Sequence, residues 1–474
     1  MIKSLLSKKN YTRSLWVGLA CCMALPVLAQ QADRSLKEKK RTEIASFFDR
    51  RMTDETTVFT SSIRMKLKET ETYRKAVWQL WKEANEAYKE DKLPQPALLS
   101  ETSAGHWNLP EELEPKAVLN FYWGRKEKAG TPAPAEGWPL FLYLHGSGPK
   151  AQEWATGLKI CSRFDDAPSL YFIPQIPNEG AYYRWYQRSK QYAWEKLLRQ
   201  ALLSDEINPN RIYLFGISEG GYGSQRLASF YADYWAGAGP MAGGEPLKNA
   251  PAENLGNTAF SLRTGAEDKG FYRDRLTGYT AAALDSLQRL YPNRYTHWVE
   301  LIPGRGHHID YAPTTPWLKQ YIRNPYPKHF IWENFEMDGR YRTGFYNLRV
   351  DERSNTDTNT RTRYELDIEG NQVSLKVDEV AYRTIEKDPK WGIELKFAQT
   401  YTPAARGKVT VYLCPELVDL SKPVTLTVNG HTVFQGRVKP DVKHLVNSCA
   451  TFFDPQRLYP AALEVDLATL EKNR

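Results

Sequence analysis

The segment around Ser218 constrains the fold more than any other part of the chain. Residues 211–215 (RIYLF) form an apolar run with strand character, and residues 216–220 (GISEG) follow at once, before a helical pattern. A serine between strand and helix stands clear of a sheet only with a strained backbone. Glycines two residues before and after it remove side chains that would collide. The pattern predicts a nucleophilic serine at a sharp turn, with a glycine-rich turn lacking chemistry as the alternative.

Strand and helix patterns alternate on both sides of this segment, from about Lys116 to Asn324. Apolar strand-like runs occupy residues 117–123, 139–144, 170–173, 235–240, 259–264 and 297–302, and helical runs occupy 191–203, 224–232 and 274–290. Each crossover between strands has the length of a βαβ unit. We therefore expect a doubly wound, mostly parallel α/β sheet at 116–325 that is covered by helices on both faces.

Two further regions flank this α/β domain. Residues 30–115 are highly charged with apolar residues at helical spacing, which predicts an N-terminal helical extension. Either a cap over an active site or a packing extension fits that pattern. Residues 326–474 contain short alternating runs at 364–368, 373–377, 392–397 and 408–412, separated by turn residues such as an Asn-Gly pair. They predict a C-terminal all-β, sandwich-like domain.

The first 29 residues have the pattern of an export signal. Four basic residues precede an apolar stretch at 15–28, and Val27-Leu28-Ala29 offers a cleavage point. This predicts a secretory signal peptide and a periplasmic or secreted protein. An uncleaved anchor and lipid attachment at Cys21 remain as alternatives. No later stretch is apolar enough to span a bilayer, so we expect no membrane span after cleavage.

Charge and cysteine content exclude several classes of partner. The formal net charge falls from +8 to +4 without residues 1–29, which contain four basic and no acidic residues, and no basic cluster stands out. Nucleic acid is therefore not an expected partner. Cys161, Cys414 and Cys449 remain at wide spacing without a zinc-binding pattern, so we expect no metal and no cofactor. A Cys414–Cys449 disulfide stays open.

A nucleophilic serine needs a base, and the base needs an acid that orients it. When the residues of such a triad follow in the order serine, acid, histidine along the chain, the acid comes after a strand that follows the serine. Asp268 fits this position, because it follows the strand-like run 259–264. Glu267 and Asp274 are the reserves. The base is expected in the loop after the last strand, where His307 and His308 are adjacent, and His307 is preferred because Gly306 leaves room beside it. His297 lies within a strand and has no predicted role.

Two backbone N–H groups are needed to bind an oxyanion. One is expected from Glu219, directly after the nucleophile. The other is expected from the glycine-rich loop 145–149 (HGSGP) after an early strand, where the amide of Ser147 or Gly146 is the candidate. The His145 side chain is interpreted as structural.

Four motifs in this order resemble the prolyl-oligopeptidase-like and esterase branch of the α/β hydrolases. They are LYLHGSGP, INPNRIYLFGISEGGYGS, RTGAED and PGRGHH. The resemblance covers about residues 117–324 and implies that Ser218, Asp268 and His307 form a catalytic triad. The chain lacks the long β-propeller of full prolyl oligopeptidases. The motifs are specific for the superfamily and not for a substrate.

Two aromatic stretches, residues 182–186 and 192–194, lie between a strand end and a helix and could form a substrate pocket. Aromatic faces at that edge of the sheet suit a sugar or a phenolic acyl group. A carboxylate could be received by Arg184, Arg188 or Arg305. The predicted substrate-binding residues are Tyr183, Arg184, Trp185 and Trp194.

The residues together predict an exported serine esterase that acts on small-molecule or glycan-linked esters, with feruloyl and other acyl groups as candidates. A small serine peptidase is one alternative, but no convincing glutamate pair faces the predicted site to hold a free amino terminus. A catalytically inactive hydrolase fold that binds glycans is the alternative from another class.

Overall fold

The computed structural model describes residues 36–357 and 359–470. The predicted signal peptide at 1–29 lies outside the described residues. No helix in the described ranges is both long and apolar enough to cross a membrane. The α-helices of these ranges are α1 (Glu38–Arg51), α2 (Thr70–Ala87), α3 (Lys150–Arg163), α4 (Arg188–Leu203), α5 (Glu219–Phe230), α6 (Arg273–Leu290), α7 (Thr314–Leu318) and α8 (Val442–Phe452).

The central sheet contains nine strands of the described residues, namely β1 (Ala97–Leu98), β2 (Ala104–Asn108), β3 (Val118–Lys126), β4 (Trp138–Leu144), β5 (Ser169–Pro174), β6 (Ile207–Ile217), β7 (Gly237–Met241), β8 (Ala259–Gly265) and β9 (His297–Ile302). Their order in the sheet is β1-β3-β5-β4-β6-β7-β8-β9, with β2 paired to β3. Strands β5, β4, β6, β7, β8 and β9 are parallel, and β3 is antiparallel to β5 and β2. The predicted mostly parallel sheet is confirmed.

Strand β4 shows why the sheet is covered on both faces. Side chains alternate across a strand, and every residue of β4 is buried. Leu140 and Leu142 belong to one apolar cluster, shared with Leu197 of α4 and Leu227 of α5, whereas Phe141 belongs to another that includes residues of α3. The continuous apolar sequence of β4 is thus the signature of a strand between two helical layers.

The N-terminal helices α1 and α2 pack on α8 of the C-terminal region rather than over the central sheet. Ile44 and Phe48 of α1 and Leu80 of α2 form a core with Val442 and Leu445 of α8. Of the two alternatives for residues 30–115, a packing extension therefore describes the structure better than a cap over an active site. The predicted helical range 30–115 was too long, because residues 97–108 form strands β1 and β2 of the main sheet.

The C-terminal region confirms the predicted all-β architecture, with α8 inserted before its last strand. One six-stranded sheet contains β10 (His329–Asn334), β13 (Thr360–Glu369), β14 (Gln372–Lys387), β15 (Glu394–Pro403), β17 (Val424–Val428) and β18 (His431–Gly436). A four-stranded sheet contains β11 (Gly344–Phe345), β12 (Leu348–Glu352), β16 (Lys408–Leu413) and β19 (Ala461–Asp466). The predicted runs 364–368, 373–377 and 408–412 lie within β13, β14 and β16, and the run 392–397 overlaps β15.

Cysteine pairing does not contribute to this region. Cys161, Cys414 and Cys449 are all buried as free thiols. The disulfide that the sequence left open between Cys414 and Cys449 is therefore not formed.

A buried ionic cluster joins the C-terminal region to the α/β domain. Asp233 lies between α5 and β7 and is bound by Arg342 and by Arg457, whose Nη1 lies 2.6 Å from Asp233 Oδ2. Arg457 Nε also donates to Asp454 Oδ2 at 2.9 Å, and Arg323 Nη1 lies 2.8 Å from the same atom. Although burial opposes ionisation of Asp233, the two guanidinium groups lower its pKa below the ordinary value.

Replacing Asp233 with Ala is expected to destabilise the whole chain. The change leaves the buried guanidinium groups of Arg342 and Arg457 without their shared anion, which costs about 3–5 kcal/mol. Urea unfolding measures the difference. Asp205→Ala is the control, because Asp205 pairs with Lys82 at 2.7 Å but is 91% exposed, and an exposed pair contributes about 0–1 kcal/mol. Equal losses for the two variants would contradict a role for the cluster in joining the regions.

Candidate active site

Parallel strands bring three polar side chains to one edge of the sheet. Strand β6 ends one residue before Ser218, β8 ends three residues before Asp268, and β9 ends five residues before His307. Because these strands are parallel, their carboxyl ends lie at the same edge, where ligands bind in open α/β sheets. Chain order and sheet geometry thus place the serine, the carboxylate and the imidazole together.

Ser218 occupies a strained turn between β6 and α5. Its backbone has φ 58° and ψ −112°, a left-handed value that is rare for a residue with a side chain. The Ser218 amide donates to the carbonyl of Met241 at 2.9 Å, which ties the turn to the end of β7. The strain is held by the surrounding sheet and directs Oγ out of it.

The two glycines of the GISEG turn are required by close backbone approach. A Cβ on Gly216 would lie 2.3 Å from the Gly220 carbonyl oxygen, and a Cβ on Gly220 would lie 1.9 Å from the Leu144 carbonyl oxygen. Contacts this short with backbone cannot be relieved by a rotamer change. These contacts agree with the prediction that a side chain at either position would collide with the turn.

A chain of hydrogen bonds links the three side chains. His307 Nε2 lies 3.0 Å from Ser218 Oγ, and His307 Nδ1 lies 2.7 Å from Asp268 Oδ2. His308 is exposed, with its ring centroid 6.0 Å from that of His307. Both oxygens of the buried Asp268 have partners, because Oδ1 accepts from Arg273 Nη1 at 2.9 Å. This is the arrangement by which an imidazole accepts the proton of a serine hydroxyl.

The other candidates of the sequence lie outside this chain of hydrogen bonds. Glu267 is exposed, and Asp274 binds Lys269 Nζ at 2.7 Å. His297, for which the sequence predicts no role, pairs with Asp285 at 3.1 Å. Asp268 is the carboxylate that reaches His307.

The loop after β4 is fixed by side chains beneath it. The Gly146 carbonyl accepts hydrogen bonds from the Tyr183 hydroxyl at 2.8 Å and from His145 Nδ1 at 2.7 Å. His145 Nε2 in turn accepts from the Ile176 amide at 3.1 Å. Burial lowers the pKa of His145 to about 4, so the ring is neutral and holds the loop. The structural interpretation of His145 agrees with these contacts.

This fixed loop lies against the serine. A Cβ built on Gly146 would lie 3.4 Å from Ser218 Cβ. In a trans peptide the N–H points opposite to the carbonyl, so the Ser147 N–H points away from Tyr183. Ser147 lines the same cavity as Ser218. Glu219 begins α5, where the first amides of a helix have no intrahelical partner. The Glu219 amide thus has no intrahelical partner, and the Ser147 amide belongs to the loop that approaches Ser218.

Part of the predicted aromatic pocket is wrong. Trp185 and Trp194 are fully buried, and their indole N–H groups donate to the carbonyls of His145 and Trp185, each at 2.9 Å. They pack under the loop and cannot touch a substrate. Tyr183 is also buried, with its hydroxyl used to hold the loop. An aromatic run has the same sequence pattern whether it faces a cleft or a core.

A cavity of about 500 Å³ opens beside Ser218, within the range of small-molecule sites. Of the three arginines proposed from sequence, Arg184 lines it, whereas Arg188 and Arg305 do not. Tyr186, which belongs to the predicted aromatic stretch 182–186, does line the cavity. Most of the residues that line the cavity were not predicted from the sequence. Two of them, Tyr222 and Arg226, lie four and eight residues after Ser218 on α5, so their helical spacing from the serine was a usable signal. The missed lining residues include Tyr222, Arg226, Glu245, Phe271, Arg273, Trp391 and Glu394.

Charged groups in this cavity are mostly paired. Arg226 Nε donates to Glu245 Oε1 at 2.7 Å, and Arg184 lies 3.5 Å from Glu219 Oε2. Burial raises the pKa of Glu219 to about 7; Arg184 opposes that shift and Glu245 adds to it. Three glutamates, Glu219, Glu245 and Glu394, line the cavity, which corrects the expectation that no glutamate pair faces the site. No group of three or more metal-ligating side chains is found among residues 36–357 and 359–470.

The sheet order, the strained serine turn and the sequence Ser218, Asp268, His307 along the chain define an α/β-hydrolase fold. The predicted resemblance is confirmed at the level of the fold. No family model matches the chain. A curated relative, poly(3-hydroxyalkanoate) depolymerase C of Paucimonas lemoignei, is 28% identical over 153 residues, which cover 30% of this chain. The match spans about a third of that relative's length (34%).

Solved structures are similar over about half of the chain. A thermostable esterase is 16% identical with a TM-score of 0.35, covering 47% of this chain and 64% of its own. A ferulic acid esterase is 11% identical with a TM-score of 0.34, covering 46% and 97%. S-formylglutathione hydrolase of Staphylococcus aureus is 15% identical with a TM-score of 0.34, covering 48% and 97%. Likeness at this level says nothing about chemistry.

Gly220→Ala is expected to prevent formation of the serine turn, because the new Cβ meets the Leu144 carbonyl. We expect loss of soluble protein or a large fall in Tm, equivalent to about 3 kcal/mol or more. Gly278→Ala is the matched control, since Gly278 lies inside α6 with nothing within 4 Å of a built Cβ, and alanine there stabilises by up to about 1 kcal/mol. A Gly220→Ala protein as stable as the Gly278→Ala protein would contradict the close approach.

Proposed function

We propose that the chain is a serine hydrolase that cleaves carboxylic esters through an acyl-enzyme, with Ser218, His307 and Asp268 as its triad. The observation that carries the proposal is the chain of hydrogen bonds from Ser218 Oγ through His307 to Asp268. A strained serine at a helix N-terminus, in reach of a base that a buried carboxylate orients, is the constellation of acyl transfer.

The first half of the reaction acylates the serine. His307 Nε2 takes the proton of Ser218 as Oγ attacks the ester carbonyl, while Asp268 keeps the other ring nitrogen protonated and the ring in place. The oxyanion is bound by the amide of Glu219 and by that of Ser147 or Gly146. His307 then returns the proton to the leaving alcohol as the ester C–O bond breaks.

The second half of the reaction releases the acid. A water molecule enters where the alcohol left, and His307 takes its proton as the oxygen attacks the acyl carbonyl. The second tetrahedral intermediate uses the same amides, and the proton returns from His307 to Ser218 Oγ as the bond between the acyl carbon and Oγ breaks. The sum is hydrolysis of one ester to an acid and an alcohol, without a cofactor.

Esters are favoured over peptides by the charges around the cavity. An exopeptidase would hold a free ammonium on carboxylates, but the carboxylate of Glu245 is bound by Arg226 and by Asn249. Glu219 loses its proton only near neutral pH and faces Arg184. An incoming ammonium would therefore meet guanidinium groups.

Substrate class and location extend this proposal. The curated relative is by name a poly(3-hydroxyalkanoate) depolymerase, and its named substrate is a polyester. That name supports ester hydrolysis. Carbohydrate-linked acyl esters are the proposed class for this chain. Export to the periplasm or medium is proposed from the basic and apolar pattern of residues 1–29.

Ser218→Ala is expected to lower kcat on p-nitrophenyl acetate by about a million-fold, because the residual rate comes only from binding and the oxyanion site. A fluorophosphonate probe should label the natural chain and fail to label the variant. Ser224→Ala is the control, since Ser224 is buried on α5 and its hydroxyl donates to the Gly221 carbonyl at 3.1 Å. Labelling or turnover that persists in Ser218→Ala would remove the proposed nucleophile, and an unreactive natural chain would favour the glycan-binding alternative.

The ionisation of Glu219 is expected to shape the pH profile. Its pKa is raised to about 7, so folding favours the neutral form and a negative charge appears beside the oxyanion site as pH rises through 7. The ratio of kcat/KM for Glu219→Gln to that of the natural chain should be near unity well below pH 7. Above it the ratio should rise by about tenfold, which corresponds to about 1.4 kcal/mol of relieved repulsion.

The exposed Glu267 provides the control for this profile. Its charge lies in solvent and is screened, so Glu267→Gln should give a ratio that does not change with pH. A flat ratio for Glu219→Gln as well would show that the Glu219 carboxylate does not act on the oxyanion.

A further inference from the structure

The hairpin between β14 and β15 reaches from the C-terminal region to the cavity beside Ser218. Its residues 391–394 line that cavity together with residues of the α/β domain. Three polar contacts fasten the hairpin to the loop and helix after β8 and to the segment after β7. They join Tyr272 Oη to Asp388 Oδ1 (2.8 Å), Arg275 Nη2 to Glu386 Oε1 (2.9 Å) and Lys248 Nζ to Glu394 Oε2 (2.7 Å).

An aromatic pair stands on the rim where the two regions meet. Trp391 of the hairpin is 55% exposed and Phe271 is 42% exposed, and their ring centroids lie 4.9 Å apart. Phe271 and Tyr272 both have left-handed backbones, with φ of 54° and 61°, so the loop that presents Phe271 is strained. A ligand site typically combines exposed aromatic surface with a strained backbone at the mouth of its cavity.

The floor of the cavity has polar atoms without partners. Glu219 Oε1, the Tyr222 hydroxyl and Arg273 Nε are buried, and none has a hydrogen-bond partner of ordinary geometry within the described part of the chain, although the Arg273 guanidinium lies near the Tyr222 side chain. All three residues line the cavity with Ser218 and Trp391. Buried polar groups are nearly always satisfied, so these atoms point to a ligand that brings several donors and acceptors.

We propose that Trp391 stacks on a sugar ring of the substrate, whose hydroxyls bind the polar floor, so that the hairpin of the C-terminal region completes the active site. The ester then joins an acyl group to a carbohydrate hydroxyl. This inference rests on the proposed esterase function. A phenolic acyl ring could also stack on Trp391, but it brings few hydroxyls to three unpartnered atoms. A sugar stacked on Trp391 contacts the aromatic rim with its ring face and the polar atoms of the cavity floor with its hydroxyls.

Kinetics on matched esters test the stacking. Trp391→Ala should lower kcat/KM on monoacetylated methyl glucoside, xyloside or galactoside by about tenfold, mainly through KM, whereas p-nitrophenyl acetate and methyl ferulate change little. Trp391→Phe should retain most of the activity. Ile385→Ala is the control, because Ile385 lies on the same hairpin, is 59% exposed and does not line the cavity. Equal losses on all esters, or no loss on any acetylated glycoside, would overturn the proposal.

Binding separates this inference from the esterase function itself. Ser218→Ala is titrated calorimetrically with the same acetylated glycosides, and its affinity for at least one should exceed that of Ser218→Ala/Trp391→Ala by about tenfold, or about 1.4 kcal/mol. Binding that depends on Trp391 in a chain that cleaves no ester would keep the sugar site and reject the hydrolase. Ester cleavage without any Trp391-dependent binding would keep the hydrolase and reject the sugar site.

Discussion

The approach of Gly220 to the Leu144 carbonyl is the contact on which the site depends. It seats the first turn of α5 directly on the end of β4, with no side chain between them. The loop that follows β4 is thereby brought beside Ser218, and His145, Tyr183 and Trp185 hold it there from below. Ser218 and the proposed oxyanion donors are consequently parts of one rigid unit, and the proposed reaction needs no rearrangement of them before a substrate arrives.

Local patterns made much of this unit predictable. The serine turn requires glycine at fixed positions next to an apolar strand, and the acid and base must follow later strands, so Ser218, Asp268 and His307 could be nominated from order and spacing alone. Their side chains lie within hydrogen-bonding distance of one another. Their catalytic roles remain proposals. The mostly parallel sheet was predictable for a related reason, since a strand buried on both faces reads as a continuous apolar run.

Features that depend on distant contacts could not be read in this way. The run from Tyr183 to Trp194 gave no sign of which rings face the core, because burial is decided by the loop above them. Trp391 belongs to a polar hairpin in another region, and nothing in its sequence neighbourhood indicates Ser218. Strands β1 and β2, within residues 97–108, are too short and too polar to be recognised as strands from the sequence. They nevertheless extend the sheet by pairing with β3.

The N-terminal helices have a consequence for the order in which the chain folds. Helices α1 and α2 bury their apolar faces against α8, and the Phe59 amide donates to Asn447 Oδ1, a partner 388 residues later. Helices α1 and α2 pack on each other, as Phe48 does on Trp81, but the core that they share is complete only when α8, synthesised nearly last among the described residues, is present. Contacts of such long sequence separation slow folding, because the loop must close before they form. We therefore expect this core to close late, after the α/β domain that separates its two parts has been synthesised.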